Sequence, residues 1–261
     1  MSKIIAVVNQ KGGVGKTSTA VNLAAALADA GKKILLIDLD PQGNATTSFG
    51  ISKTGESVYQ LLAEECSVQE AVRIPYPPYP HVIPASSDLS AAEVELVGEI
   101  GREFRLKEVL ADQVQDYDVV LIDCPPSLSL LTINALVAAD GLLVPFQCEF
   151  LAMEGIAQLQ KTLSIIRQRL NPKLAILGVL FTMYDGRSNL VKNVAQEIRE
   201  FFREAVFTTL IPRNIQISEA QSMGKPVLWY AKRAKSSLAF QKLEKEFSYR
   251  LGATDWQVNK L

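Results

Sequence analysis

The chain has 261 residues, 48% of them hydrophobic and 21% charged, with a formal net charge of −1. That length suits one large α/β domain, and the near-zero charge argues against a protein permanently coated with nucleic acid while leaving room for a local basic patch. No apolar run has the length of a membrane span, about 18 residues. The N-terminus carries no signal-peptide pattern, and Cys66, Cys124 and Cys148 form neither a metal-spaced pair nor a disulfide framework, so a reducing cytoplasm is expected.

The first predicted element is a short buried strand, Ile4-Ile5-Ala6-Val7-Val8. Lys11-Gly12-Gly13-Val14-Gly15-Lys16-Thr17-Ser18 follows, and an alanine-rich helical pattern runs from Thr17 to Ala30. Strand, glycine-rich turn, Lys-Thr and helix form the layout of a phosphate-binding loop. The glycines let backbone N–H groups converge on phosphate oxygens. Lys16 can reach the β/γ-phosphates and Thr17 can offer its hydroxyl to Mg²⁺. The positive end of the helix dipole faces the same anion. A nucleoside triphosphate is therefore the expected ligand. The loop departs from G-x-x-x-x-G-K-[ST], because Gln10 stands where the first glycine belongs and Lys11 opens the loop instead.

Ile34–Ile37 reads as a second buried strand and ends at Asp38 and Asp40. Pro75-Tyr76-Pro77-Pro78-Tyr79-Pro80 excludes helix and central strand. It reads as a connecting loop or a proline-rich recognition segment, followed by a very short strand at Val82-Ile83 and the lone His81, a loop or surface residue. Helical patterns cover Leu89–Leu96 and Phe104–Val114. Val119–Ile122 is a strand ending at Asp123, Leu142–Val144 another, and Leu174–Phe181 another. Helical patterns at Met153–Leu170 and Leu190–Phe202 flank the last. Continuous apolar strands alternating with helices imply a single doubly wound, mostly parallel sheet with helices on both faces. Ligands bind at the carboxyl ends of such strands. Asp123 beside a phosphate loop can hold Mg²⁺, usually through water. Asp38 and Asp40 either project toward that site or cap the next helix or turn.

Lys11-Gly12-Gly13-Val14-Gly15-Lys16-Thr17 resembles the deviant Walker A box of the ParA/MinD family. Asp38-Leu39-Asp40-Pro41-Gln42-Gly43-Asn44 is similar to that family's switch I, and Asp123-Cys124-Pro125-Pro126-Ser127 to its Walker B and switch II. Pro145–Phe150 with Met153-Glu154-Gly155 resembles the segment near the family's dimer interface. Thr182-Met183-Tyr184-Asp185 and Ile211-Pro212-Arg213-Asn214 resemble its adenine-enclosing loops. With Ser218-Glu219-Ala220 and Gly224-Lys225-Pro226-Val227, the resemblance covers residues 3–250. It implies one ATPase domain over residues 1–261, with a C-terminal helix near 235–251. It implies ATP and Mg²⁺ as cofactors. Nucleotide would be held by Lys11, Gly12, Gly13, Val14, Gly15, Lys16, Thr17 and Ser18, with Met183, Pro212 and Asn214 around the base. Mg²⁺ would be held by Thr17, Asp38 and Asp123. Lys11 would cross a homodimer interface to the partner's ATP, and Asp40 would orient the attacking water. A water-orienting carboxylate without a strong base predicts slow hydrolysis.

Residues 225–250 carry seven basic side chains against Glu244 and Glu246, a net +5 in a chain of net −1. Arg187 and Lys192 follow the Leu174–Phe181 strand. These are solvated helix faces or, by the resemblance, a DNA surface formed by Arg187, Arg213, Lys225, Lys232, Arg233 and Lys235. Such a surface holds phosphates without reading bases. Gln216 departs from the arginine that many ParA proteins carry there. The resemblance further implies a ParB-type or analogous cargo adaptor and a cytoplasmic, nucleoid-associated location. The cargo would be a chromosome, a plasmid or a protein body such as a carboxysome. The alternative is a MinD-like ATPase whose C-terminal helix binds membrane. Leu238, Leu243, Phe247 and Leu251 can line one helix face, which serves either a membrane or the protein's own core. The residues from Ala253 to Leu261 lack the closely spaced apolar and basic residues of an anchor.

Overall fold

A computed structural model of the chain describes residues 2–149 and 152–253, without the side chains of residues 152–154. The expectations for Phe150, Met153, Glu154 and the tail beyond Ala253 lie outside the described residues. The strands are β1 (Lys3–Val7), β2 (Ile34–Asp38), β3 (His81–Ile83), β4 (Val119–Asp123), β5 (Gly141–Gln147), β6 (Ala175–Tyr184) and β7 (Val206–Pro212). They form one sheet in the order β3-β2-β4-β1-β5-β6-β7. Every neighbouring pair runs parallel.

The helices are α1 (Lys16–Asp29), α2 (Asn44–Ser48), α3 (Val58–Leu62), α4 (Val68–Ala71), α5 (Leu89–Glu95), α6 (Arg105–Leu110), α7 (Leu130–Ala138), α8 (Ala152–Arg169), α9 (Asn189–Phe202), α10 (Ile215–Ser222), α11 (Val227–Tyr230) and α12 (Lys235–Gly252). Successive strand residues point to opposite faces, so each apolar strand feeds two cores. Ile5 and Val7 pack with α1, α2 and α10–α12, whereas Ala6 and Val8 pack with α3–α9. From β1 the chain moves outward to β2 and β3, returns through β4, and fills the other side with β5–β7. The direction of winding reverses at β1, which opens a crevice above its carboxyl end.

Three expectations change. β7 is a full edge strand where the sequence reading sees only a loop at Ile211–Asn214. Its Val-Phe-Thr-Thr-Leu-Ile run is β-branched and apolar, as a strand requires. The helix expected over Phe104–Val114 closes at Leu110, where Ala111 turns extended (φ −57°, ψ 135°) and Asp112 follows with a left-handed φ of 60°. His81 belongs to β3, half-buried, with its Nδ1 2.8 Å from the Tyr117 hydroxyl.

The C-terminal stripe faces inward except at Leu238, which is 49% exposed because its position turns away from the core; Leu251 is partly buried. Phe240, Leu243 and Phe247 of α12 are fully buried. Each such side chain is worth roughly 1.5–3 kcal/mol. Three together rival the whole stability of a domain, about 5–15 kcal/mol. Peeling α12 onto a membrane would forfeit that. No described helix is long and apolar enough to cross a membrane.

Candidate nucleotide site and basic face

The loop after β1 is braced before any ligand arrives. Buried Asn9 donates to Pro145 O at 2.8 Å and accepts from Lys11 N at 3.0 Å. Thr182, at the end of β6, donates to Val14 O at 2.7 Å. Gly15 adopts φ 84°, a left-handed conformation that side chains rarely tolerate, and starts α1. The first-turn N–H groups of α1 therefore open onto a cleft of about 460 Å³, lined by Gly12, Gly13, Gly15, Lys16, Thr17, Ser18 and Asp40. Lys16 is 6% exposed, and its Nζ donates to Lys11 O at 3.1 Å. Burial lowers its pKa, and the Asp123 and Asp40 carboxylates pull it back up.

The three aspartates have different surroundings. Asp38 Oδ2 accepts from both the N–H and the hydroxyl of Thr46 at 2.7 Å, and Oδ1 accepts from Asp40 N at 3.3 Å. It therefore caps α2, and burial raises its carboxyl to about 6 despite those bonds. Thr46 Oγ1 also accepts from Ala85 N at 2.9 Å, which ties α2 to the end of β3. Asp40 lines the cleft, with Oδ1 accepting from Gln42 N at 3.0 Å. Asp123 pairs in register with Asp38 on the neighbouring strand. Both of its carboxylate oxygens are buried, and among the described residues neither makes a hydrogen bond of good geometry, although the Thr17 hydroxyl stands close by. Burial and the Asp38 carboxylate push it well above the usual carboxylate range, and Thr17 and Lys16 offset only part of that.

An orphaned buried carboxylate beside Lys16 and Thr17 is the environment a cation would relieve. Among the described residues no group of three or more Asp, Glu, His or Cys side chains is arranged to hold a metal alone. Magnesium needs no such cage, since it takes one or two carboxylates plus phosphate oxygens. Thr17 and Asp123 fit that donor set, whereas Asp38 is already engaged with Thr46.

A second, more apolar cavity of about 290 Å³ adjoins the first. Met183, Pro212 and Asn214 line it with Thr19, Ser218 and Phe240. Asn214 is the N-cap of α10, its Oδ1 accepting from Gln216 N at 2.8 Å. Its Nδ2 in turn donates to Gln216 Oε1 at 3.4 Å, so the amide is held against the first turn of α10. α10 then runs toward the first cleft, where Gln221 Nε2 donates to Ser18 Oγ at 3.4 Å. Cys124 is buried, and burial drives its thiol well above the ordinary range.

Lys11 points away from the loop. Its Nζ stands 2.8 Å from Glu149 Oε2 in the same chain, with both side chains about half exposed. The six basic candidates are all exposed. Arg213 and Lys225 bracket α10, and Lys232, Arg233 and Lys235 precede or open α12. Arg187 is paired with Asp185 at 2.7 Å. Arg250 leaves the basic face altogether, since it donates inward to Leu177 O, Ala205 O and Val206 O and pairs with Glu246.

The sequence reading omits Asn9, Thr46 and Gln221, and it names Thr182 only as part of a loop, not as the brace on Val14 that it is. Asn9 could have been flagged as a polar residue ending an apolar strand. Gln221 has no local signal, because only the packing of α10 brings it to Ser18.

A family profile described as an AAA domain matches residues 2–176. The sporulation initiation inhibitor protein Soj of Bacillus subtilis is 49% identical over 248 residues, covering 94% of this chain and 98% of the relative. The chromosome partitioning protein ParA of Myxococcus xanthus is 46% identical over 253 residues, covering 96% and 89%. Among solved structures, a Mycobacterium smegmatis protein described as cobyrinic acid a,c-diamide synthase, with bound ATP analogue and magnesium, superposes with a TM-score of 0.86. It is 35% identical over 97% of this chain and 96% of that one.

Proposed function

The chain belongs to the ParA/MinD family of P-loop ATPases, in its Soj/ParA chromosome-partitioning group, and from that premise we propose that it is an ATP-driven positioning switch that rides on DNA. In this reading ATP occupies the two adjoining cavities, its phosphates on the Lys11–Ser18 loop and its base between Met183, Pro212 and Asn214. Magnesium, when bound, neutralises charge on the phosphate oxygens. Lys16 supplies a fixed, partly desolvated cation to the same charge. Asp40 orients the attacking water through its place at the cleft wall. Binding, orientation and charge suffice for phosphoryl transfer, so a slow rate fits a timer.

Lys11 carries the homodimer reading. Released from Glu149, its exposed side chain is free to reach a neighbouring subunit's nucleotide. The joined subunits would present Arg213, Lys225, Lys232, Arg233 and Lys235 to duplex DNA, with Arg187 at their margin. One observation carries the reading: α10 lines both nucleotide cavities and holds a candidate DNA cation at each end. A cargo adaptor of ParB type or an analogue would stimulate hydrolysis and release the protein, moving DNA or a protein body along the nucleoid. The buried α12 stripe disfavours the MinD-like membrane alternative.

The test is co-sedimentation with random-sequence duplex DNA and, separately, anionic liposomes, each with ATP, ADP or no nucleotide over a salt series. ATP-dependent binding to DNA alone is expected. It should weaken steeply with salt as released counterions lose their entropic advantage. Binding to liposomes alone would replace this reading with the membrane one.

A further inference from the structure

Lys53 lies outside every motif, yet its side chain reaches the loop that presents Asp40. Its Nζ donates to Gln42 O. Its stem fills the space above Gly43, where a Cβ would stand 2.5 Å from Lys53 Cε and 3.1 Å from Cδ. Gly43 has φ 61°, a left-handed turn that favours glycine, and a side chain there would push the Lys53 ammonium off its place on the loop. The neighbouring bonds lead to the cleft. Gln42 N donates to Asp40 Oδ1 at 3.0 Å, and Gly43 N closes on Asp40 O at 2.8 Å. Gln42 is thus held at both ends, its N–H by the Asp40 carboxylate and its carbonyl by the Lys53 ammonium.

Lys53 is exposed and makes no ion pair among the described residues. An exposed lysine gains little from a surface contact and loses side-chain freedom in making it. Global stability is therefore a poor reason for the contact, whereas orientation of the Asp40 turn is a good one. We propose that Lys53 is a positioning residue for ATP hydrolysis, fixing the Asp40 carboxylate through Gln42. The inference rests on the ATPase reading above. Lys53 is absent from the walls of both nucleotide cavities, so it acts on turnover and not on nucleotide affinity.

The experiment compares wild type, Lys53→Met, Lys53→Arg, Asp40→Ala and the Lys53→Met/Asp40→Ala double variant. ATP turnover, KM for ATP and thermal melting are measured for each. Lys53→Met keeps the stem and removes the cation. It should lower kcat by up to about a hundredfold, the scale reached when a reacting group is misplaced by about 1 Å, with KM and melting unchanged. Lys53→Arg should restore most of the rate. In the Asp40→Ala background, Lys53→Met should have no further effect in single turnover, because the two residues act in one chain. Wild-type kcat in Lys53→Met, or an equal loss with and without Asp40, overturns the inference alone. A wild-type protein that turns over no ATP overturns the ATPase reading and this inference with it.

Discussion

Replacing Glu149 by glutamine removes the anion that holds Lys11 on its own subunit. The pair is 2.8 Å apart with side chains 51% and 45% exposed. An exposed ion pair of this kind is worth about 0–1 kcal/mol. If each Lys11 must leave its Glu149 before reaching a partner's nucleotide, a dimer releases two such pairs. Their combined cost is then up to about 2 kcal/mol. That corresponds to at most about a 30-fold tighter dimer for Glu149→Gln. The gain should shrink as salt is raised, since the Debye length falls from about 10 Å at 0.1 M to about 3 Å at 1 M. Sedimentation equilibrium with ATP, in an Asp40→Ala background that holds the nucleotide intact, reads the difference. Lys11→Ala serves as the control that dimerises least. A weaker dimer for Glu149→Gln at low salt would refute the reasoning, because Glu149 would then contribute to the interface and not restrain Lys11.

Lys16→Ala should abolish ATP-dependent dimerisation, and Asp40→Ala should bind ATP and dimerise yet hydrolyse only at a residual rate, readable in single turnover. Sedimentation and phosphate release distinguish the two, and normal phosphate release from Asp40→Ala would remove Asp40 from the mechanism. Asn22, 1% exposed, accepts from Val227 N at 2.7 Å and donates to Ser18 O at 2.8 Å. Asn22→Ala orphans a buried N–H and should cost about 1–3 kcal/mol in urea unfolding; a change under about 0.5 kcal/mol would match an ordinary surface site. Glu246 accepts from Thr208 N, Thr208 Oγ1 and Thr209 N at 2.7–2.9 Å. Burial alone would raise its carboxyl, but these bonds hold it below the usual range. Its contribution is therefore full above the unfolded glutamate pKa, about 4.3, and fades as pH falls through the lower folded value. Glu246→Gln should be less stable than wild type by about 1–3 kcal/mol at pH 7, with the gap closing in acid. A gap that widens in acid would reverse the assigned sign.

The parts of the site that depend on local backbone are legible in the sequence. A strand, a glycine turn and Lys16-Thr17 leave the chain few conformations, and the structure folds them as read. Asp123 is legible too, because an acid ending an apolar strand must stand at the sheet's carboxyl edge. Asp38 shows where such reading divides. Both a metal role and a cap role follow from its sequence position, and only Thr46, eight residues on, decides that its carboxylate closes α2. Asn214 is similar, since the same acceptor that could read a base is the one a helix N-terminus demands.

What stays hidden depends on contacts between segments distant in the chain. Gln221 reaches Ser18 across 203 positions and Thr182 reaches Val14 across 168, and neither residue type announces its partner. The +5 count over 225–250 includes Arg250, which packs its guanidinium over the Phe207 ring at 4.1 Å and faces inward. Charge summed along a sequence ignores direction, so a basic segment is a basic surface only after each side chain's orientation is known. The same distinction assigns α12, whose apolar stripe reads more readily as a helix docked on its own core than as a membrane face, but which only the packing decides. Phe240, Leu243 and Phe247 are buried against α1 and β7, so the helix is part of the nucleotide domain's own core. Its N-terminal cations are thereby held at a fixed position beside the smaller cavity that Phe240 lines with Met183 and Pro212.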